Sequence, residues 1–247
     1  MLSGQTIVQD RALAAEFDTM SLDDRLAFLA QGRKNAVFTT SLGIEDQVLT
    51  AALASAAPSV RIVTLETGRL FEETVSLIEE TEAKYGISIE RFRPDAQKLA
   101  EYVQRHGVNG FYESIEARKA CCGVRKLEPL ARALEDADLW ITGLRRGQSA
   151  NRSEVAFAEF DADRDLLKAN PLADWDIETV RAYVEAEGVP VNPLHARGYP
   201  SIGCEPCTRA IKPGEDERAG RWWWENDQKR ECGLHVAGVA EQSQITA

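Results

Sequence analysis

Apolar and polar positions alternate with two different periods along the N-terminal part of the chain. Short runs rich in β-branched and aromatic residues predict strands, and longer stretches with an apolar residue every three or four positions predict helices between them. A helix capped by Ser21 comes first. Strands are then predicted over residues 36–40, 60–65, 87–92 and 139–142, and helices over 45–57, 71–85, 96–105 and 113–135, the last bent at Pro129.

The order of these elements predicts the fold class. Strands and helices alternate, and each crossover is long enough to join parallel strands. We therefore expect an α/β fold, an open, mostly parallel twisted sheet with helices on both faces. A hairpin over residues 155–160 and 165–169 and a helix from Asp176 to about Glu187 follow. The periodicity ends after Pro200, so we predict a main domain over residues 1–207 and an irregular C-terminal extension over 208–247.

Three loops follow predicted strands directly, at residues 40–43, 66–69 and 143–146. Open α/β sheets bind ligands at the carboxyl ends of their strands. The first loop leads into a helix, whose N-terminal N–H groups and dipole favour an anion, although an ordinary capped turn has the same pattern. In the second loop Gly68 permits close backbone approach, and Arg69 either binds an anion or lies on the surface.

Charge and composition narrow the function. The chain has 247 residues and a formal net charge of −11, which argues against a nucleic-acid-binding surface because such surfaces are basic. No apolar run is long enough to span a membrane, and the first residues lack the pattern of a signal peptide. We therefore expect a cytoplasmic protein without nucleic-acid or membrane partners. The cationic side chains occur in three groups along the sequence. These groups either focus a positive field on one pocket or lie on solvated helix faces. The groups are Arg118, Lys119, Arg125 and Lys126, then Arg145, Arg146 and Arg152, then Arg209, Lys212, Arg218 and Arg221.

The cysteines divide into a set of four and one left over. Cys121 and Cys122 are adjacent, and Cys204 and Cys207 form a C-x-x-C pair. Four thiolates can hold zinc or an iron–sulfur cluster, and unligated buried thiols are the third reading. Neighbouring side chains on a helix diverge by about 100°, so adjacent cysteines reach separate irons more easily than one small ion. This spacing favours a 4Fe–4S cluster.

The fifth cysteine, Cys232, lies in the extension. Lys229, Arg230 and His235 are close to it in sequence, and basic neighbours lower a thiol pKa and produce a nucleophilic thiolate. A lone cysteine in such a segment is also compatible with no function at all. The three tryptophans at residues 222–224 either anchor the extension onto the core or pack at an interface.

Together these segments resemble the assimilatory adenylyl-sulfate and phosphoadenylyl-sulfate reductases, nearly from end to end. Six segments in the family's order carry the resemblance: residues 40–45 (TSLGIE), 65–71 (LETGRLF), 119–126 (KACCGVRK), 141–149 (ITGLRRGQS), 203–209 (GCEPCTR) and 231–235 (ECGLH). The resemblance implies an adenine nucleotide α-hydrolase-like fold, with Cys232 in the extension and nucleotide and cluster in the main domain. Relatives that split ATP have Lys and Ser where this chain has Ile44 and Asp46, which fits a nucleotide held without phosphoryl chemistry.

The resemblance also implies a mechanism and its residues. Cys232 attacks the sulfur of the activated sulfate, AMP leaves, and thioredoxin or a similar dithiol releases sulfite from the S-sulfocysteine. His235 supports Cys232, and Lys126 links the cluster to the substrate electrostatically. Cys121, Cys122, Cys204 and Cys207 would hold one 4Fe–4S cluster. Substrate binding is carried over to Thr40, Ser41, Gly43, Thr67, Gly68, Arg69, Arg125, Lys126, Arg145, Arg218 and Arg221.

The cysteine pattern indicates adenylyl sulfate as the substrate, because family members with all four cluster cysteines generally prefer it. The implied pathway is sulfate assimilation and cysteine biosynthesis. Two alternatives stay open: a cluster-containing 3′-phosphoadenylyl-sulfate reductase, and a non-catalytic metal-binding sensor of nucleotide or redox state. The sequence also leaves open whether the chain forms a homo-oligomer.

Overall fold

The computed structural model describes residues 15–17, 19–149 and 152–225. These residues form a six-stranded sheet with the strand order β3-β2-β1-β4-β6-β5. Strands β1 to β4 and β6 run parallel, and β5 pairs with β6 in the antiparallel sense. The predicted open, mostly parallel sheet is therefore confirmed. The strands are β1 Ala36–Thr40, β2 Arg61–Leu65, β3 Ile89–Phe92, β4 Leu139–Ile141, β5 Ala158–Asp161 and β6 Leu166–Ala169.

Helices cover both faces of this sheet. Phe38, Ile62 and Ile141 point to one face, where they pack in a core with residues of α1, α2, α3 and α7. Their strand neighbours Val37 and Trp140 point to the other face and pack against α6, because successive side chains in a strand alternate. The helices are α1 Leu22–Ala30, α2 Ile44–Ala56, α3 Glu72–Tyr85, α4 Ala96–His106, α5 Ile115–Cys122, α6 Glu128–Ala133 and α7 Ile177–Glu187.

Local capping explains where several helices begin and end. The side chains of Ser21 and Asp176 accept hydrogen bonds from the N–H groups of Asp24 and Thr179, as predicted. Helix α3 ends at Gly86, which adopts the left-handed conformation. These signals lie within a few residues of each helix end, so the element positions could be predicted closely.

The long helix predicted over residues 113–135 is divided into three pieces. Helix α5 ends at Cys122, a π-helical turn covers Gly123–Leu127, and α6 follows with Pro129 in its first turn. A π-helical turn adds one residue to the turn and shifts the direction of the side chains after it. The distortion therefore lies directly after the adjacent cysteines and changes the direction of the side chains that follow them, Arg125 and Lys126 among them.

The first part of the extension folds back onto the main domain. Ile211 N donates a hydrogen bond to Gly198 O at 2.9 Å, and Trp222 N donates one to Cys207 O at 3.1 Å. Thr208 and Arg221 form an isolated antiparallel bridge that closes this segment on itself. We call residues 208–225 the strap. Within the described part of the chain, no helix is long and apolar enough to cross a membrane.

Candidate active site

A cleft of about 200 Å³ opens at the carboxyl ends of β1, β2 and β4. Thr40, Thr64 and Thr142 line it at or just after the ends of these strands, and the loops that follow contribute further residues. The strap and the loop before Cys204 form the remaining wall. This is the edge of the sheet at which the strand order predicts a ligand site. Of the residues assigned to substrate by sequence, the cleft is lined by Thr40, Ser41, Gly43, Thr67, Lys126, Arg218 and Arg221.

The loop after β1 enters helix α2 through an unusual backbone conformation. Leu42 has a φ of 59°, in the left-handed region that bulky residues rarely adopt. Its N–H donates to Thr40 Oγ1 at 3.0 Å, and Gly43, the N-cap of α2, has no side chain to cap the helix. Gly43 and the first turn of α2 line the cleft, and the N-terminus of a helix is a place that favours an anion.

Asp46 holds this loop in place from the first turn of α2. Its carboxylate accepts hydrogen bonds from Ser41 N and Ser41 Oγ, each at 2.6 Å. Burial raises the pKa of Asp46 to about 6, although the bonds from Ser41 act in the opposite direction. A Cβ on Gly143 would lie 2.1 Å from Asp46 Oδ1. Glycine is therefore needed at position 143, because the loop after β4 passes against the carboxylate.

Among the described residues, four cations line the cleft, namely Lys126, Arg152, Arg218 and Arg221. They come from the π-helical turn, the segment after β4 and the strap. A Cβ on Gly203 would lie 2.3 Å from Arg221 Nη2, so glycine there makes room for the guanidinium. The guanidinium of Arg221 also lies 4.8 Å from the ring centre of Trp222, which orients it. Glu45, Asp46 and Glu217 belong to the same lining, so the cations provide for an anionic group at part of the cleft.

Arg145 does not line the cleft. Its Nε donates to Glu45 Oε1 at 2.8 Å, and its Nη2 lies 3.8 Å from Glu217 Oε2. The side chain is 1% exposed. Burial raises the pKa of Glu217, an effect that Arg145 partly offsets. Arg145 thus connects the start of α2 to the strap, and the cleft-lining arginine of this region is Arg152.

Gly68, Arg69 and Arg125 also lie outside the cleft lining. Gly68 has a φ of 70° and donates its N–H to Glu66 Oε1 at 2.8 Å. Arg125 Nη1 donates to Thr67 O at 2.6 Å. Arg69 Nη2 donates to Asn109 Oδ1 at 2.7 Å. Both arginines line a second, smaller cavity next to the cleft.

The second cavity, of about 20 Å³, is lined by all four cysteines of the predicted cluster set. Cys121 and Cys122 come from the end of α5, and Cys204 and Cys207 from a turn more than 80 residues later; each is 7–9% exposed. Burial raises the pKa of Cys121, and it raises that of Cys207 to about 12. Thr67 Oγ1 lies 3.3 Å from Cys204 Sγ. We call these four residues the thiol set.

The thiol set has the donor chemistry of iron–sulfur cluster ligands. Among the described residues, no group of three or more His, Cys, Asp and Glu side chains is arranged to hold a metal ion. Four buried thiols around one cavity nevertheless match the ligand set of an iron–sulfur cube, whose irons are separate. Lys126 and Arg221 line both cavities, so their charge would act on a group bound in either one.

Some residues of the cleft have no distinctive sequence signal, and two predicted site residues lie outside the described part of the chain. Trp140, Gln148 and Arg152 line the cleft but were not singled out as ligands, because the sequence signals were a strand tryptophan and one more cation in a cluster. Cys232 and His235 lie outside the described residues. The strap ends at Glu225, seven residues before Cys232.

Comparisons with known proteins agree with this architecture. The family model for the phosphoadenosine phosphosulfate reductase domain matches residues 35–210. An adenosine 5′-phosphosulfate reductase from Agrobacterium fabrum is 64% identical over 242 residues, covering 94% of this chain and 93% of the relative. The enzyme of that name from Neisseria meningitidis is 48% identical, with 92% of each chain covered.

Solved structures show the same fold at low identity. A phosphoadenylyl-sulfate reductase from Candida auris superposes with a TM-score of 0.71 at 23% identity, covering 85% of this chain and 98% of that one. An FMN adenylyltransferase from Candida glabrata superposes with a TM-score of 0.54 at 13% identity, covering 96% of this chain and 81% of that one. The adenine nucleotide α-hydrolase-like fold is therefore confirmed, and with the family match over residues 35–210 the chain belongs to the phosphoadenosine phosphosulfate reductase domain family.

Proposed function

We propose that this protein reduces adenylyl sulfate to sulfite and AMP, with thioredoxin as electron donor. The observation that supports this most directly is a cation-lined cleft at the strand ends, two of whose cations, Lys126 and Arg221, also line the cavity of the thiol set. The relatives at 48–64% identity carry the name adenosine 5′-phosphosulfate reductase. The proposal extends to sulfate assimilation and cysteine biosynthesis in the cytoplasm, with residues 208–247 as the extension that delivers Cys232.

The first step is a displacement at sulfur. The Cys232 thiolate forms an S–S bond with the sulfate sulfur, the bond from that sulfur to the bridging oxygen breaks, and AMP leaves with the electron pair. The enzyme then carries S-sulfocysteine at position 232. A thiolate approaching a phosphosulfate meets strong repulsion, which preorganised cations reduce. Lys126, Arg152, Arg218 and Arg221 line the cleft and would contribute this charge, and His235 would support the thiolate.

The second step consumes a dithiol. One thiolate of thioredoxin attacks Cys232 Sγ, sulfite leaves, and a mixed disulfide forms between the two proteins. The second thiol of thioredoxin then attacks the thioredoxin sulfur that is bonded to Cys232. This releases Cys232 as a thiolate and leaves a disulfide in thioredoxin. The dithiol thus supplies both electrons.

We further propose that the thiol set holds one 4Fe–4S cluster. Cys121, Cys122, Cys204 and Cys207 would be its ligands, and their burial in one cavity supports this. A cluster held by these residues would supply charge and rigidity next to the cleft, while the dithiol would supply the electrons of the reaction. Lys126 and Arg221 line both cavities and would compensate its negative charge.

A test of the first step uses adenylyl sulfate without any reductant. Mass spectrometry should find a sulfonate adduct on Cys232 of the wild type. Cys232→Ser should carry no adduct, and once thioredoxin is added it should release no sulfite, whereas the wild type does. Sulfite release by Cys232→Ser at the wild-type rate would disprove the mechanism, and a wild type that binds nucleotide without forming the adduct would favour the sensor.

The nucleotide itself is tested by paired turnover assays. With thioredoxin present, kcat/KM should be higher for adenylyl sulfate than for 3′-phosphoadenylyl sulfate. The reverse preference would identify the protein as a cluster-containing 3′-phosphoadenylyl-sulfate reductase. Because the cleft cations and Cys232 serve both nucleotides, that outcome would leave the two-step mechanism intact.

A further inference from the structure

Three aromatic side chains form a partly exposed group beside the thiol cavity. We call Tyr112, Trp223 and Trp224 the aromatic patch. The rings of Tyr112 and Trp224 lie 4.5 Å apart, and those of Trp223 and Trp224 lie 5.8 Å apart. Tyr112 is 43% exposed and Trp223 is 47% exposed. Single exposed aromatics are common on protein surfaces, but a contiguous group of them marks an interaction site.

The aromatic patch is held rigidly by the body beneath it. Tyr112 Oη donates to Pro206 O at 2.7 Å, and the ring of Trp224 packs against Phe111 at 6.2 Å between centroids. Pro206 and Phe111 both line the thiol cavity. A surface that is ordered before binding loses little conformational entropy when a partner docks.

The chain leaves the described structure directly next to this patch. Glu225 is buried, and its carboxylate accepts two hydrogen bonds from Arg118, each at 2.8 Å. Cys232 lies seven residues further along the chain. An extended chain spans at most about 3.6 Å per residue, so Cys232 stays within about 25 Å of Glu225. Trp223 is two residues from this exit, well inside that radius.

We infer that the aromatic patch is the docking surface for the protein that supplies the dithiol, an inference that rests on the proposed function. The dithiol must touch Cys232 Sγ, so its carrier lies within the reach of the chain from Glu225. A small domain is about 30 Å across, and a domain in that position covers the surface around the exit. Tryptophan and tyrosine at the centre of such a contact supply much of its binding energy. The partner is therefore a small protein whose surface dithiol is surrounded by an apolar rim.

The test compares two exposed aromatic positions. Trp223→Ser removes the centre of the patch, and Phe160→Ser on the edge strand β5 is the matched control, because Phe160 is 52% exposed. Each variant is loaded with adenylyl sulfate and then reduced either by thioredoxin or by dithiothreitol. For Trp223→Ser we expect the KM for thioredoxin to rise about tenfold or more, the scale of losing an interface tryptophan. Reduction by dithiothreitol, adduct formation and melting temperature should not change, and Phe160→Ser should match the wild type throughout.

Other outcomes overturn the docking surface. An unchanged KM for thioredoxin in Trp223→Ser does so directly. Slower adduct formation or slower reduction by dithiothreitol would show that the aromatic patch positions the segment that carries Cys232, and does not bind a partner protein. If the wild type is a dimer in solution and Trp223→Ser is a monomer, the aromatic patch is instead a contact between two copies of this chain. Failure of the wild type to form the adduct would instead overturn the proposed function, so the two failures are distinguishable.

Discussion

At the scale of single residues, Asp46 shows how burial adjusts a site. Desolvation disfavours the charged carboxylate, so its pKa rises from 3.8 to about 6. The two hydrogen bonds from Ser41 limit the rise but do not cancel it. In the unfolded chain the same group ionises near its ordinary value. The folded protein therefore binds one proton more than the unfolded chain between these two pKa values, and stability falls as pH rises through about 6.

Asp46→Asn should remove this pH dependence while keeping an oxygen that accepts from Ser41. As pH rises from roughly 5.5 to 7.5, we expect the variant to gain about 1 kcal/mol in free energy of unfolding relative to the wild type. Urea denaturation at several pH values measures this. A constant difference between variant and wild type would show that Asp46 titrates normally.

At the scale of elements, the strap is attached through its last described residue. Arg118 and Glu225 form an ion pair with side chains 1% and 3% exposed, and the guanidinium of Arg118 lies 4.8 Å from the ring centre of Trp222. Trp222 N also donates to Cys207 O at 3.1 Å. The strap therefore joins α5 to the turn that contains Cys207, and it places Arg218 and Arg221 over the cleft.

Glu225→Gln should destabilise the protein by about 3 kcal/mol, because it leaves the guanidinium of Arg118 buried opposite a neutral group. Glu215→Gln is the control in the same segment. Glu215 pairs with Arg209 at 2.9 Å, but both side chains are about one third exposed, and exposed pairs contribute little. The free energy of unfolding in urea measures both changes. Similar losses for the two variants would contradict a structural role for the buried pair.

At the scale of the whole molecule, the thiol set links distant parts of the chain. Cys121 and Cys122 end helix α5, while Cys204 and Cys207 follow the last helix and precede the strap. Their meeting depends on the sheet, since Leu70 after β2 bridges to Cys204. A cluster bound by all four would cross-link these segments and stabilise the fold.

Cys121→Ser and Cys204→Ser should therefore lose bound iron and inorganic sulfide and melt at a lower temperature than the wild type. Cys232→Ser, which alters a cysteine outside the thiol set, should keep the iron, the sulfide and the wild-type melting temperature. Metal analysis and thermal melting of anaerobically purified protein measure this. Bound zinc without sulfide in the wild type would contradict the cluster.

The sequence by itself determined the elements and the edge of the sheet where the cleft lies. Strand and helix periods, the caps at Ser21 and Asp176 and the order of elements are local properties, and they led to a parallel sheet with a ligand site at its carboxyl ends. The division of the cysteines into four and one was also readable, and the structure brings the four into one cavity.

Only the tertiary structure decided which cations face the cleft. Arg145 and Arg152 lie in one stretch of sequence with equal charge, yet Arg152 lines the cleft while Arg145 pairs with Glu45 and Glu217. Glu45 is 100 residues before Arg145. Glu217 lies in the strap, whose sequence has no hydrophobic periodicity from which its structure could be predicted. Side-chain direction depends on partners that are distant in sequence, and these become neighbours only when the sheet and the strap are assembled.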